Sequence, residues 1–511
     1  MPSVAVASSS QMAADAGLEV ARTGGNAVDV CIAASVASLC TETVIASLGG
    51  GGFVTISPLA GDPVTIDGYV EMPGRGLPAS RLGGGAREVD FGYGGGVRTS
   101  IGPGSVATPG TVAALDRAWT LHGRLPWARI LEPARRLVEE GFPLTPAAEH
   151  YLEHSGEPIF GWDPEARRAL RGEDGGLPKS GETVRIPDLA RSLEILETEG
   201  AESFYTGELA ERIARRVRRS GGMLGLEDLA AYEPIVRPAL EVELDGWTVA
   251  TNPPPAIGGA TLAAMLLLMH GHPSERWSEE ELERLARVQE AVLGWRIREL
   301  DGSDDLHRDV RRLLEERTLD DLRRWIESPS TVHTSAVDAD GLACSISAST
   351  GYGSGVVAPG TGIFLNNCLG EQELVPGGVG SPEIGSRLPS NMAPSTARGP
   401  GGAVLAVGSP GAGRITTALL QTLLSFFRLG MTLEEAVAHP RLHVELDSGR
   451  TVVACEPGLD LEGTGLELRP FEWPDMFFGG VTGALRREDG AFEAAADPRR
   501  TGGVAVFEAE E

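Results

Sequence analysis

The 511-residue sequence predicts an α+β fold. Apolar residues recur at helical spacing through the N-terminal part. Strict strand-like alternation appears around residues 331–349. The 68 glycines and 34 prolines are spread along the chain and collect at apparent turns, so the sequence is not of low complexity. No repeat of fixed period is present.

Gln11 to Gly24 reads as an amphipathic helix stopped by Gly24-Gly25. Asn26 to Cys40 reads as a second helix, rich in Ala and Val and buried. After Gly49-Gly50-Gly51-Gly52, Phe53 to Ile56 reads as a short strand. Residues 111–140 and 186–218 read as helical, and Glu241 to Asn252 as a strand. Glu275 to Ile326 is dense in Glu, Asp and Arg, with Leu282, Leu285 and Leu293 at helical spacing. Solvated helices with i,i+4 charge pairs are expected there. Ser328-Pro329-Ser330 ends that pattern. Thr331 to Val337 then alternates, Asp338-Ala339-Asp340-Gly341 turns, and Leu342 to Ser349 alternates again. Thr331 thus opens a β-hairpin directly after a break.

A chain of this length exceeds one ordinary core and suits two or three lobes. Lys plus Arg is 44 and Asp plus Glu is 72, giving a net charge of −28. Such a surface repels phosphate backbones and anionic lipids, so neither nucleic acid nor membrane is expected as a partner. Met1 to Ser10 lacks the pattern of a signal peptide, and the longest apolar run, Leu262 to Met269, falls short of the roughly 20 residues of a membrane span. The five cysteines (Cys31, Cys40, Cys344, Cys368, Cys455) are odd in number and without CxxC spacing. Neither a disulfide framework nor a structural zinc site follows, and a cytoplasmic protein is expected.

No metal or cofactor is expected. His150 and His154 are one helical turn apart, but Tyr151 stands where a zinc protease needs Glu. They read as a structural or surface pair, as do His270 and His272. No G-x-S-x-G elbow is present; Gly353-Ser354-Gly355 lacks its context. The lone lysine, Lys179, argues against a Ser-Lys pair, and Gly49 to Gly52 lacks a phosphate-loop ending. A threonine at a strand start remains. Internal, its hydroxyl is a weak nucleophile. At a freed N-terminus its own α-amine, with a pKa of about 8, can take the hydroxyl proton and return it to a leaving amine.

Thr331-Val332-His333-Thr334-Ser335-Ala336-Val337-Asp338-Ala339-Asp340-Gly341 resembles the T-T-H-x-S-x-V-D-x-D-G start of the small subunit in the γ-glutamyltranspeptidase (glutathione hydrolase) family. Other segments resemble the family in the same order: Gly24 to Asp29, Leu48 to Phe53, Thr108 to Val112, Pro253-Pro254-Pro255 with Gly258-Gly259, Gly360 to Asn367, and Gly408 to Gly411. The resemblance implies a four-layer αββα fold of the N-terminal-nucleophile hydrolases, made from one precursor. It implies cleavage between Ser330 and Thr331, giving segments 1–330 and 331–511. It further implies Thr331 as nucleophile, Ser349 as the supporting hydroxyl, and Gly411 and Ala412 as backbone donors of an oxyanion hole.

The departures concern glutamate recognition. Where the family has an Arg before E-M-A-P, Tyr69-Val70-Glu71-Met72-Pro73 carries Val70. This removes the bidentate partner of the substrate carboxylate, for which Arg75 is the displaced substitute in sequence. The family's Asn after its supporting Thr is missing from the shorter Ser349 to Gly353 segment. Glu371 stands in for the Asp that takes the substrate amine, and the paired serines of the family become Ser390-Asn391. Three readings follow: a γ-glutamyl hydrolase or transferase with water or an amino acid as acceptor; an amidase or acylase for another acyl group; and a non-catalytic structural or binding homologue.

Overall fold

The computed structural model describes residues 3–92, 96–172, 175–271, 276–301, 303, 305–315, 331–411, 413–447 and 450–509. Ser330, Ala412 and His272 lie outside the described residues, as does 316–326 of the acidic stretch.

Two antiparallel sheets form the centre. The seven-stranded sheet runs Gly503–Phe507, Val4–Ser8, Val332–Asp338, Ala343–Ser349, Gly51–Ser57, Val64–Gly68, Ile235–Pro238. The six-stranded sheet runs Phe492–Ala496, Thr482–Arg486, Val404–Gly408, Ser395–Arg398, Trp247–Thr251, Leu240–Leu244. The predicted hairpin is present, with Val332 opposite Ala348 and Val337 opposite Ala343. Both sheets draw strands from segments 1–330 and 331–511.

The sheets face each other through small and polar side chains. Ala5, Val337, Ala343, Val404, Ala406 and Ala484 form the apolar part of this inner layer. Ser57 Oγ meets Thr396 Oγ1 at 2.7 Å, and Ser345 Oγ donates to the Val407 carbonyl at 3.0 Å. Buried hydroxyls are stable there because each finds a partner.

Helices cover both outer faces. Gln11–Arg22 and Ala27–Thr41 pack on the seven-stranded sheet. Asn26 and Asp29 form a reciprocal cap at the start of the second helix, every residue of which is buried. Ile257–Met269, Glu279–Trp295 and Arg414–Phe427 build the core over the six-stranded sheet. The result is the four-layer αββα sandwich, with a large hydrophobic core on each side of the paired sheets.

Three readings of local structure change. The strand expected over 241–252 is a hairpin: Asp245 (φ 48°) and Gly246 (φ 84°) make its two-residue turn. The stretches 111–140 and 186–218 each break into shorter helices. Glu279–Trp295 is not merely solvated, because Leu282, Leu285, Val292 and Leu293 are buried in the second core.

Candidate active site

Thr331 directly precedes the strand Val332–Asp338 near the centre of the seven-stranded sheet. Val332 pairs with Ala348, so the next step of the ladder sets Thr331 across from Ser349. Ser349 pairs on its other side with Gly51. Both Thr331 and Ser349 are buried, and Ser349 Oγ accepts the Gly351 amide at 2.9 Å.

Thr331 lines a cavity with Ser9, Glu42, Pro410, Thr482, Asp497 and Arg500. Glu42 comes from the end of the buried second helix. Its carboxyl accepts Ser38 Oγ at 3.2 Å and Thr145 Oγ1 at 3.3 Å. Burial raises its pKa, while the surrounding hydroxyls and Arg500 oppose that rise. Thr482 Oγ1 is buried in this cavity wall without a hydrogen-bond partner among the described residues.

His333 is enclosed between the sheets. Its Nδ1 meets Ser347 Oγ at 2.8 Å and its Nε2 meets Ser335 Oγ at 2.9 Å. Gly408 lies against the ring so closely that any side chain there would strike it. Burial lowers the imidazole pKa to about 3, so His333 is neutral and not a proton shuttle near pH 7.

The strand Val404–Gly408 delivers the loop holding Gly411 beside the cavity. Ser409 Oγ donates to the Pro410 carbonyl at 2.6 Å and accepts the Gly480 amide at 3.1 Å. Gly411 has φ 121°, and its carbonyl accepts the Arg414 amide at 3.0 Å. Helix Arg414–Phe427 begins immediately afterwards.

A second group of polar side chains adjoins Ser349. Gly51 packs on the chain at Tyr69-Val70: a Cβ there would lie 2.7 Å from the Val70 amide nitrogen and 2.9 Å from Tyr69 Cδ2. The Tyr69 ring stacks on Phe53, centroids 5.6 Å apart. Its hydroxyl hydrogen-bonds with Cys368 and Ser390, and burial raises its pKa well above the usual range. Glu371 is buried nearby. Burial, then repulsion from Glu373, pushes its pKa well up. Its Oε1 faces Gly351, where a Cβ would lie 2.9 Å away. The Ser390 carbonyl accepts the amides of Ile257 and Gly258, at 2.8 and 3.1 Å. Asn391 is buried beside it, its carbonyl against Gly258.

Arg75 does not join this group. Its guanidinium pairs with Glu71 at 3.4 Å and Asp228 at 3.7 Å, and lines a separate cavity with Arg215 and Arg218. Asp228 also accepts the backbone amides of Gly74 and Arg75, which fixes that orientation. Val70, at the position of the family's arginine, is fully buried. The arginine that does reach this region, Arg387, pairs with Glu71 at 2.9 Å and Asp67 at 3.5 Å and stacks on Tyr232. Glu42, Tyr69, Cys368, Arg387 and Thr482 carried no local sequence signal; they are assembled only by the fold. Among the described residues no group of three or more His, Cys, Asp and Glu is placed to hold a metal, and no helix is long and apolar enough to cross a membrane.

The gamma-glutamyltranspeptidase family matches residues 13–507. The glutathione hydrolase proenzyme of Pseudomonas aeruginosa is 29% identical, covering 98% of this chain and 93% of its own. That of Escherichia coli is 27% identical, covering 97% and 90%. Among solved structures, cephalosporin acylase from Bacillus halodurans superposes with a TM-score of 0.82 at 23% identity, covering 100% of this chain and 96% of its own. Helicobacter pylori gamma-glutamyltranspeptidase gives 0.52 at 22% identity, covering 61% and 90%. The architecture is that of the N-terminal-nucleophile hydrolases, and the chain belongs to the gamma-glutamyltranspeptidase family of enzymes.

Proposed function

We propose that this chain is a self-processing amidohydrolase in which Thr331 first opens the Ser330–Thr331 peptide bond and then acts as nucleophile. The observation carrying this reading is the register that sets Thr331 across from Ser349 beside the Gly411 loop. In the first reaction Thr331 Oγ attacks the Ser330 carbonyl, and water hydrolyses the resulting ester. A carboxylate is left on Ser330 and an amine on Thr331. In the second, Thr331 Oγ attacks a substrate amide while its α-amine takes the hydroxyl proton. Ser349 Oγ donates to the nucleophilic oxygen, and the Gly411 and Ala412 amides receive the developing oxyanion. The proton passes to the leaving amine, and water or an amino acid releases the acyl group.

The acyl group differs from γ-glutamyl in this reading. Val70 supplies no cation, and the guanidinium groups of Arg75 and Arg387 are already held by Glu71, Asp67 and Asp228. Glutathione-hydrolase activity is the second reading, favoured by relatives of that name at 27–29% identity along nearly the full chain.

Denaturing electrophoresis with N-terminal sequencing tests the mechanism. Two fragments are expected, the smaller beginning at Thr331, and Thr331→Ala abolishes both cleavage and turnover. A single uncut chain with full activity overturns the mechanism. Brisk hydrolysis of a γ-glutamyl anilide by the cut protein selects the second reading.

A further inference from the structure

We propose that Glu42 is the proton acceptor of the self-cleavage step, reached from the Thr331 hydroxyl through one water in the cavity they share. This deepens the reading of Thr331 as nucleophile and rests on it.

Turnover and self-cleavage differ in their base. Once freed, Thr331 has its own amine for the hydroxyl proton. Before the cut that nitrogen belongs to the Ser330–Thr331 amide and takes no proton, so another group must. The titratable side chains lining the Thr331 cavity are Glu42, His333, Asp497 and Arg500. Both His333 ring nitrogens are occupied by serine hydroxyls, and burial holds its pKa at about 3. Asp497 is tied to Arg441 and Arg499, which hold its carboxyl below the usual range and make it a weak base. Arg500 is a cation whose guanidinium donates to the Met476 and Gly479 carbonyls, at 3.2 and 3.4 Å. Glu42 remains.

Glu42 suits the task on three counts. It is 2% exposed, and burial raises its pKa, which strengthens it as a base. Arg500 and the hydroxyls of Ser9, Ser38 and Thr145 favour its ionised form. Those three hydroxyls leave room for one more donor on a carboxylate that offers roughly four acceptor sites. The cavity leaves about 20 Å³ for a water-sized sphere, enough for one water. Thr482 Oγ1, in the same wall, is buried with no hydrogen-bond partner among the described residues. Buried hydroxyls are rarely left so, and a water between Glu42 and Thr331 satisfies it.

The protons and bonds balance. The Thr331 hydroxyl gives its proton to the water, which passes one to Glu42, while Thr331 Oγ bonds to the Ser330 carbonyl carbon. The carbon–nitrogen bond then breaks. Glu42 returns the proton through the water to the departing Thr331 nitrogen, leaving an ester and a free amine. A second water hydrolyses the ester.

The full chain is made by cell-free translation and shifted to buffers of graded pH. Fragment formation is followed on gels, with N-terminal sequencing of the smaller fragment. The parent rate is expected to rise with pH as Glu42 ionises. Glu42→Gln should slow cleavage about 100-fold and abolish that rise, and Glu42→Asp should restore part of both. Arg500→Met removes the charge that favours ionised Glu42, so the rise should move to higher pH. Thr482→Val removes only the hydroxyl that holds the water and should slow cleavage about 10-fold. Cleavage of Glu42→Gln at the parent rate, or a pH rise that survives in it, overturns this inference and leaves Thr331 standing. If Glu42→Gln does not fold, Thr482→Val carries the test, and a parent rate there overturns it. Cleavage that persists in Thr331→Ala overturns the Thr331 reading itself.

Discussion

Gly411 abuts Gly479 so closely that a Cβ on Gly411 would lie 2.6 Å from the Gly479 Cα. Its φ of 121° also lies where L side chains are strained. The loop that carries the proposed oxyanion donors is therefore shaped by a neighbouring loop, Met476 to Gly480, and not by its own sequence alone. Gly411→Ala is expected to displace the donor amide and to add strain of about 1–3 kcal/mol. Turnover by cut protein should fall about 100-fold or more with little change in KM. Steady-state kinetics on any accepted anilide decide it, and an unchanged kcat removes Gly411 from the oxyanion site.

Ser349 has two tasks that separate on substitution. Its Oγ accepts the Gly351 amide at 2.9 Å, and it stands across the ladder from Thr331. Ser349→Ala should cost about 1 kcal/mol of stability through the orphaned amide. It should also slow both fragment formation and kcat, by about 10-fold each. Ser349→Thr keeps the hydroxyl and is expected to recover both rates. Gel time courses beside anilide kinetics show whether the hydroxyl or the methylene matters.

Much of this was legible in the sequence where local chemistry decides structure. Gly24-Gly25 ended the first helix, and alternation from Thr331 to Ser349 announced the hairpin on which the proposed nucleophile sits. The single strand expected over 241–252 leaves out the Asp245-Gly246 turn, although Asp-Gly between alternating runs is a strong hairpin signal. The charge of Glu279–Trp295 masked a buried leucine face, because composition averages over both faces of a helix. The Thr331 cavity gathers residues from Ser9 to Gly502, and nothing local marks Glu42 or Thr482 as its walls. The commitment of Arg75 to Asp228 depends on a contact 153 residues away in sequence, which only the fold creates.

His333 gives a pH signature of folding. Its folded pKa of about 3 lies below the unfolded value of roughly 6.5. Between those values the unfolded chain binds a proton that the folded chain refuses. The stabilisation is therefore complete above about pH 6.5 and is lost as pH falls toward 3, at about 1.4 kcal/mol per pH unit from this one group. Urea unfolding between pH 6 and 5 should show a slope smaller by that amount in His333→Gln. The pH profile of kcat should keep its shape in the same variant, since a neutral, enclosed imidazole does not titrate there.

A buried ion network backs the Thr331 cavity. Asp497 is 1% exposed and pairs with Arg441 at 2.7 Å and Arg499 at 3.0 Å, while Arg499 also holds Glu456. Asp497 Oδ2 accepts the Val481 amide at 2.9 Å, and Arg441 donates to the Phe478 carbonyl at 3.1 Å. These bonds fasten both ends of the loop that backs Gly411. Burial alone would raise the Asp497 pKa, but Arg441 and Arg499 outweigh it and leave it lowered. A lowered carboxylate contributes stability above its unfolded pKa, about 3.9, and loses it as pH falls through the folded value. Between pH 5 and 8 this contribution is constant, so the variant can be compared with the parent at a single pH. Asp497→Ala leaves the buried Arg441 guanidinium without its carboxylate, while Arg499 keeps Glu456, and should cost about 3–5 kcal/mol in urea unfolding. It should also lower kcat of the cut protein more than it changes KM, because the loop behind Gly411 is released. A stability loss below about 1 kcal/mol would mean that solvent already compensates the arginines. A normal kcat in a destabilised variant would mean that the network holds the fold without holding the oxyanion loop.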